Sequence, residues 1–172
     1  ATSVSNGTVA LHVAIEALGI KTGDEIIAPD LTYIASINSI AYTGAIPILV
    51  DSDKLTWNID TNLIESRITD KTKAIMAVHL YGNPCNMLEL ERICKKYDLF
   101  LIEDAAEGFG TKYDGSYCGS FGDVATFSFF GNKTLTTGEG GMVSTKTLEL
   151  YERVKLLKNH SQFRISLKYI LS

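Results

Sequence analysis

Short apolar segments alternate with helical segments along almost the whole chain, and this alternation limits the possible folds more than any other feature. The predicted strands are 25–29, 45–51, 73–82, 99–104, 124–130 and 141–145. The predicted helices are 7–19, 33–44, 61–68, 87–98 and 147–160. Repeated strand–helix–strand units join parallel strands by right-handed crossovers, which cover both faces of a sheet. We therefore predict an α/β fold with a mainly parallel sheet.

Polar residues and glycines mark where several of these helices begin and end. Asn6 or Thr8 is expected to cap the first helix, and Gly19 is expected to end it. Thr61 is the expected cap of the third helix, and Gly44 ends the second.

Composition excludes several classes of function. The formal net charge is −4 with no basic stripe, so nucleic acid is not an expected partner. No apolar run approaches the roughly 20 residues of a membrane helix, so no membrane partner is expected. The three cysteines fit no zinc spacing, and the histidines lie far apart, so no metal site is predicted. Reduced cysteines indicate the cytoplasm.

Ligands of such sheets bind beyond the carboxyl ends of the strands, and helices that begin there often bind anions. Asn6, Gly7 and Thr8 open the first helix, where backbone N–H groups suit a phosphate. The alternative is an ordinary helix cap. Tyr33 opens the second helix and could stack on a planar ring, or it is simply a core or surface aromatic.

Two acids end the buried strand 99–104. Glu103 and Asp104 stand beside small alanines, where a carboxylate could hold a cationic ring nitrogen or a metal. They could equally be turn or capping acids. His79 and Tyr81 lie at the end of another predicted strand, 73–82; His79 could form a hydrogen bond near the site, or it is a satisfied core histidine.

A single lysine follows the strand 124–130 among glycines. Ser128 lies on that strand, and Lys133 comes five residues later, past Gly131. Partial desolvation lowers the pKa of a lysine and exposes a nucleophilic amine, which can form a Schiff base with an aldehyde cofactor. The alternative is a solvated loop lysine.

These motifs, in this order and spacing, resemble a known family. The segments are SVSNGTVALHVAIEALGIKTGDEIIAPDLTYIASINSIAYTGAIPILVD, VHLYGNP, LIEDAAEGFG and FSFFGNKTLTTGEGGMVST. They are similar to the DegT/DnrJ/EryC1/StrS aminotransferases, which use pyridoxal 5'-phosphate (PLP) to aminate nucleotide-linked keto sugars. The resemblance runs from about Ser3 to His160. It implies the large domain of PLP-dependent transferase fold type I, a three-layer α/β/α structure with a mainly parallel mixed sheet.

The resemblance also implies roles for individual residues. Lys133 matches the lysine that anchors PLP and moves the proton, and Asp104 matches the acid paired with the pyridinium nitrogen. Glu107 matches a position, often glutamine, near the phenolic oxygen. Tyr33 matches the aromatic stacked on the ring. The phosphate contacts match Gly7, Thr8 and Ser128.

Within the family, FFGNKTLTTGEGGM is most similar to the subgroup that converts GDP-4-keto-6-deoxy-mannose to perosamine, its 4-amino sugar. This similarity implies glutamate as amino donor, a homodimer and a pathway to a bacterial surface polysaccharide such as O-antigen. Two alternatives stay open. One is a truncated, non-catalytic PLP-binding remnant, and the other is an aminotransferase of the same family that acts on a UDP- or dTDP-keto sugar.

The chain also departs from the family pattern. It begins close to the phosphate motif, and its tail 161–172 does not match the family. Residues 1–172 are therefore expected to be the PLP-binding large domain, without the family's N-terminal segment and small C-terminal domain.

Overall fold

A seven-stranded sheet lies between two layers of helices in the computed structural model, which describes residues 1–159. Its strands are Thr2–Val4 (β1), Glu25–Pro29 (β2), Ile46–Val50 (β3), Thr72–Val78 (β4), Phe100–Asp104 (β5), Val124–Ser128 (β8) and Gly141–Thr145 (β9). A separate hairpin consists of Lys112–Tyr113 (β6) and Ser116–Tyr117 (β7).

Five α-helices connect or cover the strands of this described region. They are Gly7–Ala17 (α1), Ile34–Tyr42 (α2), Thr61–Ile64 (α3), Met87–Tyr97 (α4) and Leu148–Lys158 (α5), with 3₁₀ turns at Glu65–Arg67 and Leu80–Gly82. None of the helices described over 1–159 is both long and apolar enough to cross a membrane.

The strand order across the sheet is β1-β9-β8-β5-β4-β2-β3. The pairs from β8 through β3 are parallel, whereas β9 pairs antiparallel with β8 and β1 pairs antiparallel with β9. The predicted α/β fold with a mainly parallel mixed sheet is confirmed. Because the parallel strands run the same way, β2, β4, β5 and β8 all end at one edge of the sheet.

Both faces of the sheet are buried, because successive side chains of a strand point to opposite faces. Ile26 and Ala28 of β2 pack with α1, α2 and α5, while Ile27 packs with α3 and α4 on the other face. In β4, Met76 likewise packs on the face of α1, α2 and α5, and Ile75 packs on the face of α3 and α4. Each buried isoleucine contributes about 1.5–3 kcal/mol of transfer free energy, so these double-sided strands hold the three layers together.

Several predicted boundaries differ from the structure. The predicted strand 73–82 stops at Val78, because the chain turns over Leu80–Gly82 with Tyr81 at a φ of 53°. The predicted strand 124–130 ends at Ser128.

The predicted caps are partly right. Asn6, and not Thr8, caps α1, because its side chain accepts the Val9 N–H at 2.9 Å. Thr61 is wrong as a cap: Asp60 caps α3 by accepting the Asn62 N–H at 3.0 Å. The last helix reaches Lys158, and the predicted His160 end and the tail 161–172 lie outside the described residues.

Candidate active site

A cavity of about 450 Å³ opens where β2, β4, β5 and β8 end, and the N-terminus of α1 forms one of its walls. Parallel strands bring these distant segments together, because their carboxyl ends lie along one edge. All seven residues predicted for the site line this cavity: Gly7, Thr8, Tyr33, Asp104, Glu107, Ser128 and Lys133. The sequence-based placement of the site is therefore matched by the geometry, while the role of each residue stays a prediction.

The first turn of α1 packs against the end of β8 at Gly7. A Cβ atom added there would lie 2.8 Å from Cβ of Ser128 and 3.2 Å from its Oγ, so only glycine allows this approach. The first N–H groups of a helix have no partner inside the helix and carry partial positive charge. No acid lies in the first turn to offset that charge. This wall can therefore accept an anionic group between α1 and Ser128.

Asp104 ends β5 and is 5% exposed, with its carboxylate at the cavity. Its Oδ2 accepts the Ser36 hydroxyl at 2.7 Å, and its Oδ1 accepts the Ala106 N–H at 3.1 Å. Burial raises the pKa of Asp104 above its ordinary value, and these two hydrogen bonds oppose the rise. Both donors are neutral, and the salt bridges found within 1–159 do not include Asp104. A ligand cation would therefore neutralise a charge that burial makes costly.

Lys133 lies in the loop after β8 and points to the same cavity. Its Nζ donates to Oε1 of Glu107 at 3.3 Å, and the lysine side chain is 17% exposed. The alternative of a fully solvated loop lysine is therefore wrong. The other carboxylate oxygen of Glu107 accepts the Tyr81 N–H at 2.7 Å. The turn after β4 thus fixes one carboxylate oxygen of Glu107, and the other oxygen contacts Nζ of Lys133.

Aromatic side chains surround the cavity mouth. Tyr33, just before α2, is 74% exposed, and Tyr81 is 77% exposed. Both line the cavity, so each can face a planar ligand there. A core aromatic side chain is buried, whereas most of Tyr33 is exposed. The alternative of Tyr33 as a core aromatic is therefore wrong.

His79 and Glu103 belong to the core, unlike their neighbour Asp104. Both are 0% exposed, and His79 Nε2 lies 3.1 Å from Oε2 of Glu103. The Cys85 N–H donates to Nδ1 at 3.2 Å, which leaves the ring hydrogen on Nε2 to bond the carboxylate. The interpretation of His79 as a satisfied core histidine is confirmed.

Glu103 also fixes the loop that precedes β8. Its carboxylate accepts the N–H groups of Gly119, Phe121 and Gly122 at 2.7, 2.8 and 2.7 Å. Burial alone would raise its pKa, but the hydrogen bonds from His79 and from the Gly122 and Gly119 amides hold it below its ordinary value. Glu103 is thus the structural acid of the pair, and Asp104 is the one that faces the cavity.

Sequence reasoning missed three hydroxyl residues that line the cavity: Thr32, Ser36 and Thr126. Ser36 is 1% exposed and lies on the core-facing side of α2. A small polar residue among isoleucines on a helix was the available signal, because a buried hydroxyl needs a partner.

The cavity offers an anion site at α1 and Ser128, a buried carboxylate for a cation, exposed rings and an amine. These groups match the phosphate, the pyridinium nitrogen, the planar ring and the aldehyde of PLP, respectively. The residues present therefore fit the cofactor that the resemblance implies.

Comparisons with known proteins agree with this arrangement. Residues 1–169 match the model of the DegT/DnrJ/EryC1/StrS aminotransferase family. The match extends past His160, so the expectation that the tail departs from the family is wrong for residues 161–169. The chain is 64% identical over 153 residues to a GDP-perosamine synthase of Escherichia coli O157:H7, covering 89% of this chain and 42% of that protein.

Solved structures give the same result. The aminotransferase from Psychrobacter cryohalolentis superposes with a TM-score of 0.93 and 40% identity, over 97% of this chain and 42% of that one. NtdA of Bacillus subtilis, with bound cofactor PMP, superposes with a TM-score of 0.83 and 36% identity. The match covers 90% of this chain and 35% of that one. The chain thus spans less than half the length of these relatives. It belongs to the DegT/DnrJ/EryC1/StrS aminotransferase family.

Proposed function

We propose that this chain is the PLP-binding large domain of an aminotransferase that transfers an amino group from glutamate to a nucleotide-linked keto sugar. One observation carries the proposal: Asp104, Lys133 and the α1 N-terminus line one cavity although they are far apart in sequence. The GDP-perosamine synthase at 64% identity supports a GDP-linked 4-keto-6-deoxy sugar as the acceptor.

The α1 end of the cavity would hold the phosphate of PLP. Gly7 and Thr8 present the N–H groups of the helix start, and Ser128 adds a hydroxyl beside them. Tyr33 would cover one face of the ring and exclude water from it. Because these groups lie on α1, on β8 and just before α2, the ring position is set by the sheet itself.

Lys133 and Asp104 would act on the reacting part of the cofactor. When bound, PLP supplies an aldehyde that takes up the amino group and a ring that accepts electrons from the substrate carbon. Asp104 would keep the ring nitrogen protonated, because an ionised carboxylate stabilises a neighbouring cation. Nζ of Lys133 would hold the cofactor and would also move the proton at the substrate carbon. Glu107 contacts Nζ and would lie near the phenolic oxygen.

The assembly and location are further parts of the proposal. Tyr33, Tyr81 and Ile34 leave an apolar rim exposed at or beside the cavity mouth, which a second copy in a homodimer would cover. Sedimentation of the intact protein tests this, and a monomer at micromolar concentration would refute it. The three free cysteines agree with a cytoplasmic enzyme of surface polysaccharide (O-antigen) synthesis, which cell fractionation and polysaccharide analysis of a deletion strain would test.

The decisive experiment compares wild type with Lys133→Ala. Each protein is mixed with PLP, its visible spectrum is recorded, and the mixture is then reduced with borohydride. We expect a Schiff-base band and a reduced adduct on Lys133 in wild type, and neither in Lys133→Ala. Lys54→Ala, an exposed lysine away from the cavity, is the matched control and should behave as wild type.

Turnover then separates the open alternatives. Glutamate should bleach the wild-type band, and the intact protein should aminate a GDP-linked keto sugar faster than dTDP- or UDP-linked ones. A band that glutamate leaves unchanged would indicate a PLP-binding remnant without catalysis. An adduct on another lysine, or equal spectra for wild type and Lys133→Ala, would overturn the proposal.

A further inference from the structure

We propose that Ser36 is a positioning residue that acts through Asp104: its hydroxyl fixes the carboxylate in the orientation that receives the cationic ring nitrogen. This inference rests on the proposed function and deepens it. Ser36 lies on α2, 68 residues before Asp104 in the chain, yet its Oγ donates to Oδ2 at 2.7 Å. That distance is typical of a hydroxyl bonded to an ionised carboxylate.

A second hydroxyl sets the direction of this hydrogen bond. Oγ1 of Thr32 lies 2.9 Å from Oγ of Ser36. A serine hydroxyl has one hydrogen, and that of Ser36 goes to Asp104, so Thr32 must donate to Ser36. The chain of hydrogen bonds therefore runs from Thr32 through Ser36 to Asp104, and it holds the Ser36 hydroxyl in its donating orientation.

The two oxygens of Asp104 are fixed by different elements. Ser36 of α2 holds Oδ2, and the Ala106 N–H after β5 holds Oδ1 at 3.1 Å. A carboxylate has about four lone-pair sites, so two stay available to the cavity. Loss of the Ser36 bond would leave a single hydrogen bond in the described region, and the carboxylate could rotate away from the ring.

The charged groups near Asp104 are already engaged with other partners. His79 after β4 bonds Glu103 of β5, and Lys133 after β8 bonds Glu107. The first turns of α1 and α2 carry no acid and their last turns no base. After burial, which raises the pKa of Asp104, the Ser36 hydrogen bond is the largest opposing influence. Ser36 thus favours the ionised form, which keeps the proton on a bound ring nitrogen.

The test follows the carboxyl carbon of Asp104 by NMR during a pH titration of the cofactor-free protein, with Asp104→Asn to assign the signal. Ser36→Ala should raise the titration midpoint by about 1 pH unit or more, since hydrogen bonds to charged groups are strong. Ser36→Thr keeps the hydroxyl and should retain the wild-type midpoint. Ser39→Ala is the matched control, because Ser39 is equally buried but bonds the Ser36 carbonyl.

A second readout is PLP affinity, which should weaken about tenfold in Ser36→Ala and stay unchanged in Ser39→Ala. If Ser36→Ala does not fold, Thr32→Val should give a smaller upward shift of the same midpoint. The inference is overturned if Ser36→Ala titrates as wild type, or if Ser39→Ala shifts equally. Wild type that binds no PLP would refute the proposed function, whereas a raised midpoint would still support the hold of Ser36 on Asp104.

Discussion

Gly7→Ala should move the start of α1 away from β8 and weaken phosphate binding. The new Cβ would meet Cβ of Ser128 at 2.8 Å, whereas carbon atoms normally approach to about 3.5 Å. The two elements must therefore separate by about 0.7 Å. Gly7 does not have a positive φ, so alanine is not strained by the backbone and the clash alone is tested.

The expected effects differ in size for stability and for binding. Overpacking costs about 1–3 kcal/mol, and alanine regains about 0.5–1 kcal/mol in a helix, so the free energy of unfolding should fall by about 1 kcal/mol. If this separation lengthens a hydrogen bond of about 2.9 Å, the donor–acceptor distance exceeds the usual limit for a hydrogen bond. Each such bond to a phosphate contributes about 1.5–3 kcal/mol, so PLP affinity should fall about tenfold to a hundredfold.

Fluorescence titration with PLP and urea unfolding of the cofactor-free protein measure the two effects. Gly131→Ala is the matched control, since a Cβ there meets only the Gly138 carbonyl oxygen at 4.0 Å. It lies in the loop beyond the same strand and should bind PLP as wild type does. Affinity of Gly7→Ala within twofold of wild type would refute the role of this close approach.

Two further predictions concern the paired acids at the end of β5. Asp104→Asn should stabilise the cofactor-free protein at pH 7: the folded-state pKa is raised by burial, so the ionised carboxylate costs stability as pH rises above 3.8. Urea unfolding at pH 7 and pH 4 should show a gain that shrinks at the lower pH, together with weakened PLP binding; a destabilised variant at pH 7 would contradict this account. Glu103→Gln should cost about 3–5 kcal/mol at pH 7, because the NH2 group of glutamine would leave buried N–H donors of Gly119 or of Phe121 and Gly122 without an acceptor. The pKa of Glu103 is lowered from 4.5, so its stabilisation is complete above 4.5 and is lost as pH falls through the lowered pKa. The difference in the free energy of unfolding between wild type and Glu103→Gln should accordingly become smaller at low pH. An equal difference at every pH would indicate that the variant loses packing and not the stabilisation from the ionised carboxylate.

The alternation of strands and helices and the position of the cavity could be predicted from sequence, because both depend on local patterns. Apolar strands such as Glu25–Pro29 are flanked by glycines and caps that can be recognised locally. The residues that end such strands then share one edge by topology alone. For this reason the sequence alone predicts that Asp104 and Lys133 lie at a common site.

What the sequence did not reveal depends on contacts between distant segments. β1 has three residues and forms only by pairing with β9, about 140 positions later. The turn at Tyr81 replaced a predicted strand because Glu107 accepts its N–H, which apolar periodicity does not encode. Ser36 was missed for the same reason, since its partner lies 68 residues away.

The pairing of β1 with β9 also sets an order of events during synthesis. Backbone atoms of Asn6 press against Gly141, so tightly that no Cβ could be added there, and Gly7 presses against Ser128. Residues near the start of the described region are thus held by residues near its end. A growing chain that does not yet include β9 already contains α1, but the residues before α1 have no strand to pair with. The wall of the cavity that α1 forms is therefore complete only once β9 has been synthesised and has paired with β1.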